Sequence, residues 1–321
     1  MKLLVLGGTK FLGRHAVDAA LDAGHSVTLF TRGQTNSELF PDAEHLHGNR
    51  DGDLDVLHGG SWDGVVDTSG YVPRVVRQSA ELLRDKVQRY VFVSSISVYA
   101  DFTEPITDQS TVAQLDDPST EAVEEHYGAL KAACEQVLEE VYAERSARVR
   151  AGLIVGPNDP TDRFTYWPRR LARGGDVLAP GDAGAPVQLV DARDLGAWLV
   201  KLALEGPGGT FNATGPTEPL TLAELLERAR AAVGSDANLL WTDAQRILDA
   251  GVQPWTELPL WLPSGEYAGM MRADVQPAVT AGLSFRPLEE TVVDTLAWDR
   301  TVGGERQTLS DEREREILAA A

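Results

Sequence analysis

The chain has 321 residues, 43% hydrophobic and 24% charged, which is enough to bury a full α/β core and excludes a disordered segment. Its 29 basic residues stand against 49 acidic ones, a formal net charge of −20. Such a surface repels phosphate backbones, and no basic patch along the sequence offers nucleic acid a footing. Cys134 is the only cysteine, which excludes an internal disulfide and a cysteine-based metal site. No run reaches the ~18 apolar residues of a membrane span.

Lys2–Leu6 reads as a first strand. Its apolar run stops at Gly7-Gly8, too short for the core of a signal peptide, so a cytoplasmic protein is expected. Residues 26–30, 64–67, 89–93 and 149–155 read as further strands. Residues 11–23, 75–84 and 121–145 carry apolar side chains at helical spacing, and Pro73 suits a helix start. Short β-branched runs alternating with amphipathic segments predict a doubly wound parallel sheet, the Rossmann arrangement. Residues 156–187, rich in Pro, Gly and Arg, read as an excursion from the sheet. Residues 188–204 return to strand then helix, and 210–213 close the sheet. Leu222, Leu225, Leu226 and Ala229 share one face of a helix over 221–233, and Ser310 caps a final helix. The expected division is a dinucleotide domain of residues 1–155 and 188–213, with a substrate lobe of 156–187 and 214–321.

Between the first strand and first helix stands Gly7-Gly8-Thr9-Lys10-Phe11-Leu12-Gly13. A turn that bends sharply and lets backbone approach a pyrophosphate needs glycine, and the following helix offers free amides to the phosphates. Lys10 holds the place of the middle glycine. A glycine-rich turn with no cofactor stays open as an alternative. At the end of the second strand, where an NAD enzyme places an acid for the ribose, the chain has Thr31 and Arg32. A guanidinium matches a ribose phosphate, and Lys10 is placed to add a second charge, so NADP is favoured over NAD. Solvated surface charges are the blander reading. Asn49 and Asp51, after the third strand, are candidates for adenine contact, and Ser69, after the fourth, for the cofactor.

Tyr127 and Lys131 lie four residues apart in a predicted helix and so on one face. A phenol titrates near 10 and is a poor acid or base at neutrality; a neighbouring ammonium favours the phenolate. Ser95, beyond the strand over 89–93, is placed to hold the substrate oxygen that Tyr127 protonates. Small-molecule redox chemistry at a carbonyl or secondary alcohol follows. Such a Tyr–Lys pair also recurs by chance, and its weight comes from the glycine turn and the serine.

Val91-Phe92-Val93-Ser94-Ser95-Ile96-Ser97-Val98-Tyr99, with Tyr127 and Lys131, resembles the extended or atypical short-chain dehydrogenase/reductases, the NAD-dependent epimerase/dehydratase group. The resemblance runs to about Thr214. It implies Ser95, Tyr127 and Lys131 as catalytic triad, with Lys131 also holding the nicotinamide ribose and Ile154 and Val155 beside the nicotinamide. It also implies a homodimer through sheet-flanking helices. The Gly7–Gly13 turn with Lys10 is most similar to an atypical subgroup that includes plastid RNA-binding relatives. The chain departs from the dehydratases at Ile96 and Ser97, where they carry Asp-Glu, and from sugar-nucleotide enzymes at Val187-Gln188, where an arginine clamps the diphosphate. An NAD(P)-dependent reductase is therefore the leading expectation. A cofactor-retaining sugar epimerase and a non-catalytic nucleotide sensor or RNA binder are its alternatives.

Asp162-Arg163-Phe164-Thr165-Tyr166-Trp167-Pro168-Arg169-Arg170 lies where the substrate lobe is expected. It reads either as an arginine–aromatic clamp for an acidic or ring-bearing substrate or as a surface helix with solvated arginines. Tyr71 reads as core or cofactor border, with core favoured. The tryptophans Trp241, Trp255 and Trp261 read as lobe core. His15, His25, His45, His47, His58 and His126 lack metal-ligand spacing, so no metal is expected, although His45 and His47 would share a strand face. No G-x-S-x-G turn supports a hydrolase.

Overall fold

The computed structural model describes residues 1–263, 265–302 and 308–320. Seven parallel strands form its central sheet: β1 (Lys2–Leu6), β2 (Ser26–Thr31), β3 (Glu44–His47), β4 (Gly64–Asp67), β5 (Arg89–Ser95), β6 (Ser146–Ala151) and, after a lone pair of short strands, β10 (Gly209–Ala213). That pair is β7 (Ile154–Val155) and β9 (Val190–Asp191); a second pair joins β8 (Asp176–Pro180) to β11 (Asn238–Thr242). The order across the sheet is β10-β6-β5-β4-β1-β2-β3. The order in which strands are added therefore reverses between β1 and β4, the place where open α/β sheets leave a crevice at the strands' carboxyl ends.

Alternation along each strand fills both faces. Leu3, Val5, Val91, Val93 and Val149 meet α1 (Phe11–Asp22) and α5 (Ala192–Leu204) on one side. Leu4, Leu6, Val65, Tyr90 and Phe92 meet α2 (Pro73–Leu83) and α3 (Val123–Tyr142) on the other. Burial of apolar surface, at about 25 cal/mol per Å², makes both layers stabilising. A third cluster lies off the sheet, built from Phe164, Trp167, Leu178, Leu225, Ile247 and Trp261. It joins β8 and β11 to α4 (Tyr166–Ala172), α6 (Leu222–Ala232), α7 (Ala244–Asp249), α9 (Leu288–Asp299) and α10 (Asp311–Ala319). Between them, α8 (Gln276–Thr280) returns to the sheet side, where Ala278 is buried.

The doubly wound sheet is the expected fold, and β1 and β4 have the expected ends. Other expectations are corrected. The strand expected over 149–155 is two, because Gly152-Leu153 leaves the sheet after β6. Residues 156–187 do leave the central sheet, carrying α4 and β8, the latter paired only with β11. The third predicted helix starts at Val123, and its φ/ψ are non-helical at His126, so the regular run leads from Tyr127. Thr221 closes a capping box with Glu224 at the start of α6, and Ser310 caps α10 by accepting from the Arg313 amide. Among the described residues, no helix is long and apolar enough to cross a membrane, and no three His, Cys, Asp or Glu gather as a metal would need.

Candidate active site

A cavity of about 1050 Å³ opens at the carboxyl ends of β1, β2, β4, β5 and β6. Gly7, Thr9, Lys10, Phe11, Leu12, Gly13, Thr31, Arg32, Asn49, Ser69, Ser95, Tyr127, Lys131 and Ile154 all line it. Residues 90 or more apart in sequence thus share one cleft. Val155 is buried behind it.

The glycine turn is built by close contact. Gly8 holds φ at +100°, and a Cβ on Gly13 would stand 2.9 Å from the Gly8 Cα, so the start of α1 rests directly on the turn. No side chain caps α1, and no acid stands in its first turn. Its leading amides therefore face the cleft without a protein acceptor, the arrangement that suits an anion. Asn36 ties down the turn's far side by donating to the Thr9 carbonyl at 2.8 Å. Lys10 and Arg32 are exposed, and neither has a side-chain bond among the described residues. Asp51, the acid in the wall, is held by Arg74 at 2.6 Å, and Asn49 Oδ1 accepts from its amide.

Beneath the cleft, Arg50 forks onto the Asp67 carboxylate at 2.6 and 2.5 Å, and Tyr90 donates to the same group at 2.7 Å. Burial alone would raise the Asp67 carboxyl, but Arg50 and these donors hold it below the ordinary range. Lys131 stands beside this network, 3% exposed. Its ammonium donates to the Gly70 and Val93 carbonyls at 2.7 and 2.6 Å and lies 4.3 Å from the centre of the Phe92 ring. Burial lowers its pKa to about 8, with Asp67 opposing.

Ser95 ends β5 and caps a short turn, its hydroxyl accepting from the Ser97 amide at 3.1 Å and donating to the Ser97 hydroxyl at 3.1 Å. The turn carries α3 upon it. A Cβ at Gly128 would sit 2.0 Å from the Ser97 carbonyl oxygen, so only glycine lets the helix come this close and deliver Tyr127 to Ser95. Burial raises the Tyr127 phenol above its usual value; its hydrogen bond with Ser95 and the charge of Arg163 draw it down, while Tyr71 adds to the rise. The Lys131 ammonium gives its hydrogen bonds to two backbone carbonyls and not to the Tyr127 hydroxyl.

Tyr71 is 44% exposed and faces the cleft, its ring centre 6.4 Å from that of Tyr127, so the expected core role is corrected. Trp261 is buried as expected, but Trp241 is 38% exposed and Trp255 is a half-buried wall of the cleft. Arg169 and Arg170 are not solvated: they pair with Asp162, Asp299 and Glu314. Sequence reasoning missed Gly128, Arg50, Met270 and Met271. The glycine beside Tyr127 was a visible signal; the methionines, on a loop without period, gave none. His45 and His47 do lie side by side, ring centres 6.2 Å apart, and His45 bonds the Phe40 carbonyl.

Three comparisons bear on this arrangement. Residues 70–213 match the family described as NAD dependent epimerase/dehydratase. The Arabidopsis thaliana chloroplast stem-loop binding protein of 41 kDa b is 26% identical over 211 residues, 60% of this chain and 53% of that protein. The chain thus spans about half the length of this curated relative. Among solved structures, the Bordetella bronchiseptica enzyme WbmH in complex with NAD+ matches at a TM-score of 0.68 and 17% identity, over 94% of this chain and 99% of that one. The Bacillus cereus UDP-glucuronic acid 4-epimerase in complex with NAD matches at 0.67 and 16% identity, with the same coverage, 94% and 99%. The Thermotoga maritima UDP-glucose 4-epimerase with UDP-glucose gives 0.65 and 18%, again over 94% and 99%. At these identities the likeness is one of fold. The resemblance read from the sequence is thus matched over residues 70–213, which are similar to the NAD dependent epimerase/dehydratase family.

Proposed function

We propose that the protein is a nicotinamide-dinucleotide oxidoreductase acting on a carbonyl or secondary alcohol, with Tyr127 as acid and base. The observation that carries this reading is the convergence of the uncapped α1 amides, Ser95, Tyr127 and Lys131 on one cleft. The close Gly8–Gly13 cradle, the uncapped helix and the unpartnered buried Ser94 hydroxyl in the wall suit a dinucleotide. Residues 1–155 and 188–213 would hold it, and 156–187 with 214–321 the substrate. The turn from Gly7 to Gly13 would take the pyrophosphate, Asn49 the adenine, Ser69 and Ile154 the remainder, and Lys131 the nicotinamide ribose.

When bound, the dinucleotide supplies hydride to a carbonyl carbon or takes it from an alcohol carbon. Tyr127 gives the oxygen its proton in reduction and removes it in oxidation, while Ser95 holds that oxygen. Because burial keeps the phenol protonated through neutral pH, reduction has its donor ready and oxidation lacks its base. Oxidation of an alcohol should therefore rise about tenfold per pH unit through neutrality and on past the ordinary phenol range near 10. A steady-state pH series on one alcohol–carbonyl pair checks this, and an oxidation rate flat below pH 8 would contradict it.

The finer reading is a preference for NADP, supported by Arg32 and Lys10 and by the lack of an acid at Thr31. NADPH should bind about tenfold more tightly than NADH, and Arg32→Ala should bring the ratio close to one. Equal affinities in the wild type would refute the preference. The fold likeness to a 4-epimerase solved with NAD supports a second reading, an epimerase that keeps its cofactor. Purified protein absorbing as bound nicotinamide, with no net oxidation of added cofactor by a carbonyl panel, would favour it. A net charge of −20 speaks against RNA as the ligand.

A further inference from the structure

The segment from Asp162 to Arg173 holds four arginines, and three have carboxylates against them. Arg169 bonds Asp162 and Asp299, Arg170 bonds Glu314, and Arg173 bonds Asp311. Arg163 has no side-chain hydrogen bond or ion pair among the described residues, although acids outnumber bases 49 to 29 in the chain. Its flanking acids bond other groups through one oxygen each, and neither bonds Arg163, although Asp159 Oδ2 and Asp162 Oδ1 have no hydrogen-bond partner. Asp159 caps its own turn, accepting from the Thr161 amide and hydroxyl at 2.8 and 2.7 Å, and Asp162 accepts from Arg169 at 2.5 Å. Arg163 is exposed, and it lines the same cavity as Tyr127 and Ser95, with Trp255, Met270 and Met271 in the wall. Trp255 holds a left-handed φ of 65°, costly for a bulky side chain and the kind of strain that persists where a site requires it.

We propose that Arg163 is the anion anchor at the substrate end of this cleft, so that the substrate is a carbonyl or alcohol with an apolar body and one carboxylate or phosphate group. The proposal rests on the oxidoreductase reading of the cleft. A guanidinium matches either oxyanion with two parallel donors. Trp255 and the methionines supply apolar surface for the body, and methionine adapts to irregular shapes. The late-strand arginine of sugar-nucleotide enzymes is absent: Gln188 stands there, its amide exchanging bonds of 3.0 and 2.8 Å with the Ala273 backbone.

The test is equilibrium dialysis of the cofactor-saturated protein with para-formylbenzoate, para-formylphenyl phosphate and methyl para-formylbenzoate. Wild type should bind at least one anionic probe about tenfold more tightly than the ester, a difference of about 1.4 kcal/mol. Arg163→Gln should reduce that preference to within about twofold, and Arg163→Lys should keep most of it. The better-bound anion tells carboxylate from phosphate. Ester binding equal to both anions in wild type, or a preference that survives Arg163→Gln, overturns the proposal. So does a loss of NADPH affinity in Arg163→Gln that matches the loss of anion affinity, which would make Arg163 a cofactor residue. Binding requires no turnover. Arg163-dependent anion binding without hydride transfer would contradict the oxidoreductase reading and leave the anchor standing.

Discussion

Tyr127→Phe should lower turnover by roughly 10²–10⁴-fold, the ordinary contribution of a positioned proton donor. Only the hydroxyl is lost, from a residue that lines the cleft beside Ser95. The ring remains, keeping its tilted contact with Tyr71 at 6.4 Å, so the wall of the cavity persists. Cofactor affinity should therefore change little, and kcat and kcat/KM should fall together, as for an interaction made in the transition state. Steady-state kinetics with a titration of NADPH separates the two. A fall in affinity alone would mean that the phenol only binds.

Gly128→Ala should disable the same site from behind. The new methyl would stand 2.0 Å from the Ser97 carbonyl oxygen and 2.9 Å from its carbon, so α3 or the turn after β5 must move. Forcing extra volume into packed backbone costs about 1–3 kcal/mol, and here the displacement falls between Ser95 and Tyr127. The expected result is a lowered melting temperature together with a loss of turnover of at least about tenfold, since small misplacements of a reacting group are expensive. Gly59→Ala serves as control: a Cβ there meets nothing within 4 Å, and its effect should stay within about 0.5 kcal/mol. Equal behaviour of the two variants would refute the close-packing account.

What the sequence made legible follows from local physics. β1 and β4 are short apolar runs bounded by glycine or by turns, and their ends could be read directly. The glycine turn and the four-residue spacing of Tyr127 and Lys131 are likewise local, and the structure brings both to one cleft. Side-chain partners are not local. Arg169 finds Asp299 and Arg170 finds Glu314 across the third apolar cluster, so nothing in the run from Asp162 to Arg170 could tell these two from Arg163. Lys131 was placed on the correct helix face, yet its ammonium is fixed by carbonyls at Gly70 and Val93. Trp255 sits on a segment without period, where exposure depends on a left-handed backbone that composition does not encode.

The central claim is that this cleft transfers hydride under the control of Tyr127. Reduced nicotinamide cofactor carrying deuterium at the transferred position, incubated with a panel of carbonyl compounds, tests it directly. The account predicts deuterium at the carbinol carbon of a reduced product with wild type, and a transfer rate at least about 100-fold lower with Tyr127→Phe. No cofactor binding, or label transferred at the same rate by both proteins, would contradict it.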